Sequence, residues 1–142
     1  MLTKKTNYIL FLIIFLSISS IFSTFFISIF FIGVVFEIFI ISIEKKYPYT
    51  FLATIISFLF LEVLFGLPIF LLLLISLFTY YIIIPKIIHL FSSKLMEQLG
   101  YISIFYLTFF LAIFLINHYD YSSYKIFIYN FLIDSIIIGL FI

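Results

Sequence analysis

Three acids stand inside apolar runs of this chain: Glu37 in "FFIGVVFEIFIISI", Glu62 in "FLFLEVLFGLPIFLLLL" and Asp134 in "YNFLIDSIIIGLFI". An ionised Asp or Glu at the centre of a lipid-buried helix costs roughly 2.5 to 3.5 kcal/mol on insertion scales, so each carboxyl needs a compensating interaction. No Lys or His lies within these runs, which makes hydrogen bonds to Ser, Thr, Asn or backbone groups the first expectation. Asn130 and Asp134, four residues apart, fall on one face of a helix. We read all three acids first as polar links between helices, with a partner contact or an ion or ligand relay as the functional alternative, weighted most at Glu62. As a hydrogen-bonding group, Glu62 is expected to tolerate Gln, which keeps size and polarity, but not Leu.

Other chemistries lack their residues. His89 and His118 fall in loops on opposite sides of the membrane under the six-span topology read below, and His118 with Asp120 supplies too few ligands for a metal. There is no Gly-x-Ser-x-Gly elbow, no His placed beside a Ser within an apolar run, and no Cys. With four Gly in the chain, a phosphate-cradling loop is absent too. No catalytic residue, metal or cofactor is therefore expected, and the protein is read as a non-enzyme.

The elements that hold these acids follow from composition. With 67% apolar residues, 9% charged residues and a mean hydropathy of +1.45, the chain has too little polar surface to solvate a globule. An all-α, multi-pass integral membrane bundle, treated as one domain over residues 1–142, is the expectation. A net charge of +1 offers no basic patch for nucleic acid.

About 20 apolar residues cross one hydrocarbon core, so the longer runs must be cut. Residues Asn7 to Ile43 would make a single helix of roughly 55 Å against a core of about 30 Å. The polar cluster "SSIFST", Ser19 to Thr24, is read as the bend. The run from Thr50 to Ile84 is cut at "FGLP", where Gly66 frees the backbone and Pro68 suits the first turn of a new helix. Further spans near Gly100 to Ile116 and Ile126 to Ile142 bring the total to six helices. A secretory leader at "MLTKK" is not expected, because the apolar segment runs on into a second span.

Lysine distribution then orients the bundle. With the N-terminus inside, Lys4, Lys5, Lys45, Lys46, Lys86 and Lys94 are cytoplasmic and Lys125 alone is external, so both termini are expected inside. Most tyrosines fall at span ends, where amphipathic rings prefer the headgroup zone; Tyr106 and Tyr129 lie deeper. In "PKIIHLFSSKLMEQLG", Ile87, Ile88, Phe91, Leu95 and Leu99 share one helical face, which predicts a helix lying on the inner membrane surface or covering the bundle end. Its Lys86 and Lys94 are candidate contacts for a cytoplasmic partner.

The order "EKKYPYT", a helix carrying an acid, then Glu62, Gly66 and Pro68 and another apolar helix resembles the rod shape-determining MreD family over residues 44 to 90. Members are small proteins of five or six spans whose third helix carries an acid followed by a tight turn. This chain has Glu in place of the usual Asp, and Phe58 and Phe70 where the family usually has Gly. The resemblance implies a non-enzymatic scaffold in the bacterial inner (cytoplasmic) membrane, working with an MreC-like protein, an MreB-like filament and the wall synthases that build lateral peptidoglycan. Glu62 would then brace the turn between helices three and four or contact a partner. The competing readings are a small-molecule-binding membrane subunit of a transporter and an accessory subunit of some other membrane complex.

Overall fold

The computed structural model describes residues 4–24, 31–117 and 123–141. Among these residues the chain is all-helical, with α1 Lys4–Thr24, α2 Ile32–Glu44, α3 Pro48–Phe65, α4 Leu71–Leu90, α5 Lys94–Asn117 and α6 Ser123–Phe141. That is the expected count of six. Three stretches are long and apolar enough to cross a membrane: Pro48–Phe65, Leu71–Leu90 and Lys94–Leu115.

One cut falls elsewhere than expected. Helix α1 continues through Ser19 to Thr24, and α2 starts at Ile32 behind Phe31, which is at φ +50. Serine need not bend a helix when its hydroxyl is satisfied within it. The Ser17 and Ser19 hydroxyls donate to the carbonyls of Ile13 and Phe15 at 2.8 and 2.9 Å.

Helix α2 is the centre of the bundle. At 13 residues it is only about 20 Å long, and every residue from Ile32 to Ser42 is buried. A helix apolar all round belongs in a protein core or in lipid, away from water. Here α3, α5 and α6 pack against it. Phe36 stacks on Phe105 of α5 with ring centroids 4.2 Å apart, and Phe39 meets Phe58 of α3 edge-on at 5.8 Å. Lys46, at φ +55, closes α2 with Tyr47 N–H donating to the Ser42 carbonyl at 2.9 Å, and Pro48 opens α3 at once.

The segment expected to form one amphipathic surface helix is divided instead. Pro85 has no N–H and would clash with the carbonyl four residues back. The chain accommodates it with a π turn over Thr79–Ile83, where Ile84 N–H reaches the Thr79 carbonyl. Helix α4 then tightens into a 3₁₀ turn, Ile88–Leu90, and stops at Phe91, whose backbone is extended. Ser93 starts α5, its hydroxyl accepting from Met96 N–H at 3.3 Å. Phe91 turns back onto α5, edge-on to Tyr101 at 6.0 Å, and fills the space a side chain at Gly100 would need: a Cβ there would lie 2.3 Å from its ring.

Alongside its apolar core, the bundle buries several polar side chains and exposes many large apolar ones. Leu107, Leu111, Leu115, Ile136 and Leu140 lie on the outside, while Glu37, Glu62, Gln98, Asn130 and Asp134 are inside. Such a distribution suits a hydrocarbon solvent, which rewards no burial of Leu and heavily penalises an exposed carboxyl. Of the two deep tyrosines, Tyr106 is buried and Tyr129 faces outward.

Candidate functional site

The three acids have three different situations. Glu62 lies one turn before the end of α3 and is 1% exposed. Gly66, at φ +66, lets the chain reverse just past the helix, with Leu67 N–H donating to the Glu62 carbonyl at 2.8 Å. The chain then forms a second turn, in which Leu71 N–H reaches the Pro68 carbonyl at 3.2 Å and Phe70 sits at φ +66. Pro68 therefore opens a turn before α4 and does not occupy the helix's first turn, because Ile69 and Phe70 still precede Leu71. The Glu62 carboxylate accepts from both ends of this arrangement: Phe70 N–H at 2.8 Å and Leu72 N–H at 2.7 Å. It caps α4 from the neighbouring helix, satisfying two of the amide groups that a helix start leaves unpaired and opposing the positive end of its dipole.

This geometry corrects the expected tolerance of Gln at position 62. Each carboxylate oxygen faces an N–H donor, so the amide nitrogen of Gln would set donor against donor at one of them.

Asp134 plays the corresponding part for α2. Its Oδ2 accepts from Gly33 N–H at 2.9 Å and also from the Tyr106 hydroxyl, joining α2, α5 and α6 at one buried point. Gly33 is needed for close approach, since a Cβ there would lie 2.7 Å from Asp134 Oδ2 and 2.9 Å from the Tyr106 ring. Asn130 lies a turn before Asp134 and is equally buried, as the four-residue spacing implied. Sequence reasoning did not connect Tyr106 to this node. The available signal was its depth, because a tyrosine within a span must find a partner for its hydroxyl.

Glu37 is placed differently. It lies in the middle of α2, where no helix terminus supplies free N–H groups, and it borders a cavity of about 390 Å³ at the end of the bundle that carries Lys45 and Lys94. The Gln98 side chain of α5 lies beside its carboxyl, while Glu37 Oε2 has no hydrogen-bond partner among the described residues. Around the same cavity, the Tyr101 hydroxyl donates to Glu97 at 2.6 Å, and the Lys45 ammonium lies 5.8 Å from the centre of the Tyr8 ring. At the exposed end of α2, the Glu44 carboxyl is pushed above its ordinary value, first by partial burial and then by Glu97, with Lys94 and Lys45 opposing. Gln98 escaped the sequence reading because its position on the polar face of "KLMEQLG" assigned it to water.

Lys86 and Lys94 are both exposed. Lys94 borders the cavity and Lys86 does not. His89 is exposed in the 3₁₀ turn, whereas His118 and Asp120 lie outside the described residues. Among the described residues, no three His, Cys, Asp or Glu side chains converge as a metal site. The sequence-selected residues thus form separate sites: Glu62, Gly66 and Pro68 at one hairpin, Asp134 and Asn130 along α6, and Glu37 and Lys94 around the cavity. Comparison with family models, with curated proteins and with solved structures returns no match.

Proposed function

We propose that this chain is a non-enzymatic, multi-pass subunit of the bacterial inner membrane that serves as a scaffold in the cell-elongation machinery, the assembly that builds lateral peptidoglycan and maintains rod shape. The observation that carries this reading is the backbone at Phe70. The resemblance to the MreD family differs there by a Phe where members usually have Gly, and Phe70 holds a left-handed conformation, φ +66, of the kind that favours glycine. A left-handed backbone at this position is one that a glycine would adopt without strain, which is in keeping with the resemblance. Phe58, the other departure, is fully buried against Phe39, so its ring has a packing role in place of a close helix approach.

The disposition of the acids also supports a scaffold. Glu62 and Asp134 both hold helix starts, which is an architectural role. Partner surfaces are available at both ends: Ile69 and Phe70 project from the hairpin, 69% and 51% exposed, and Lys86 stands free at the opposite end of α4. Affinity capture of the full chain from native membranes tests the reading. It should recover a single-span coiled-coil wall protein or an actin-like filament protein, and Ile69→Asp should reduce recovery of the coiled-coil partner. Recovery of neither protein at normal expression would oppose the scaffold role. A second reading, a small-molecule-binding membrane subunit, is favoured by one observation, the cavity beside Glu37.

A further inference from the structure

A second cavity lies where the turn from α2 to α3 meets α4. It is an open-sided cleft of about 420 Å³, within the range that ligand sites occupy. Ile43, Pro48 and Phe51 give it an apolar wall, and Lys46 and Tyr81 bring polar groups that nothing engages. The Lys46 side chain is exposed and has no hydrogen-bond or ion-pair partner among the described residues; the exposed Tyr81 hydroxyl has none either. The acceptors of the turn, by contrast, already carry donors: the Ser42 carbonyl receives Tyr47 N–H at 2.9 Å, and the Ile43 carbonyl receives Lys46 N–H at 3.2 Å. The Ser42 hydroxyl donates to the Phe39 carbonyl at 2.7 Å. Among the described residues no carboxyl borders this cleft, since Glu44, the acid nearest in sequence to Lys46, borders the cavity beside Glu37 instead.

One ammonium and one phenol, both able to donate, suit an anion, and a phosphate is the anion that a lysine binds as a point charge. Backbone geometry brings the two donors to the cleft. Lys46 holds φ +55 where it closes α2, with Pro48 opening α3 two residues later, and Tyr81 comes from the π turn over Thr79–Ile83, a distortion frequent at functional sites. Depth then bears on the source of the phosphate. Pro48 begins a stretch long and apolar enough to cross a membrane, so the cleft stands at the end of a span, where Tyr and Lys meet lipid headgroups. We infer that this cleft binds an anionic phospholipid, its phosphate on Lys46 and Tyr81 and the start of an acyl chain along Ile43, Pro48 and Phe51. A zwitterionic lipid carries the same phosphate with an ammonium beside it, for which the cleft offers no carboxylate; phosphatidylglycerol carries hydroxyls there instead. The inference stands independently of the scaffold reading, and loss of either leaves the other intact.

The test uses the full chain in nanodiscs of phosphatidylglycerol mixed with phosphatidylethanolamine or phosphatidylcholine, transferred to mild detergent, with retained lipid counted by native mass spectrometry. Phosphatidylglycerol should be retained over either zwitterionic lipid by about fivefold, the preference that one lysine near an anionic surface confers. Lys46→Gln should abolish that preference, and Tyr81→Phe should weaken it. Lys46→Gly should abolish it too, and because glycine adopts φ +55 without strain, this variant covers the case in which Gln disturbs the turn. Lys86→Gln, at an exposed lysine that does not border the cleft, should leave retention unchanged. If glycerol phosphate raises the melting temperature of delipidated protein in a Lys46-dependent way while no lipid is retained, the anion site holds and its source is soluble. Equal retention of the three lipids with no such response to glycerol phosphate, a preference that survives both Lys46 variants, or one lost equally with Lys86→Gln would overturn the proposal.

Discussion

At the residue scale, Glu62 answers the question posed by a carboxylate in an apolar helix: its two oxygens hold Phe70 N–H and Leu72 N–H, the amide groups at the start of α4. The sequence announced the acid and the glycine four residues later, but not the direction of the bonds. Those depend on how Pro68 to Phe70 bring α4 beneath α3, a three-dimensional closure that no spacing rule expresses. The consequence is a graded order of damage. Glu62→Gln should destabilise the protein in detergent by about 1 to 3 kcal/mol, since one N–H loses its acceptor and meets another donor. Glu62→Leu strands both groups and should cost about twice as much. Thermal unfolding followed by size-exclusion chromatography would measure both; a Gln variant as stable as the parent would contradict the double cap. Asp134 and Tyr106 were each visible as deep polar residues, whereas their meeting at Gly33 N–H was not, because it joins three helices distant in sequence.

At the scale of elements, the legible features were those in which one residue dominates the local backbone. Gly66 closed α3 as expected, whereas the proline that opens a helix is Pro48, at the start of α3, and not Pro68. The Ser19 to Thr24 cluster misled because a helical serine can donate to the carbonyl four residues back, as Ser19 does to Phe15, and the Ile87 to Leu99 face misled because Pro85 and Ser93 impose breaks that apolar periodicity does not register. Phe70 is the element-scale test of the hairpin. A non-glycine residue held at positive φ costs on the order of 1 kcal/mol or more. Phe70→Gly should therefore raise the melting temperature or leave it unchanged, despite removing a large side chain, because that side chain is 51% exposed and contributes little packing. A marked loss of stability would show that the ring is needed in the fold and that the turn is not strained.

For the whole molecule, the account is of a bundle with polar links inside, an apolar exterior and a short, fully enclosed central helix. The cavity places Tyr8, Lys45 and Lys94 at one end of the bundle, in keeping with the shared side that the lysine count assigned to the N-terminus and the second and fourth connections. Reporter fusions after Lys46 and after Lys94 should behave as cytoplasmic and one after Tyr121 as external; a cytoplasmic signal at Tyr121 would reject the six-span arrangement. The proposal that this bundle is a scaffold of cell elongation stands or falls on cell shape. Depletion of the protein in its native bacterium, followed by time-lapse microscopy, should round the cells before growth stops, with shape restored by the parent chain and only partly by Glu62→Leu. Rod or helical shape persisting in a clean deletion, in an organism that normally has it, would contradict the account.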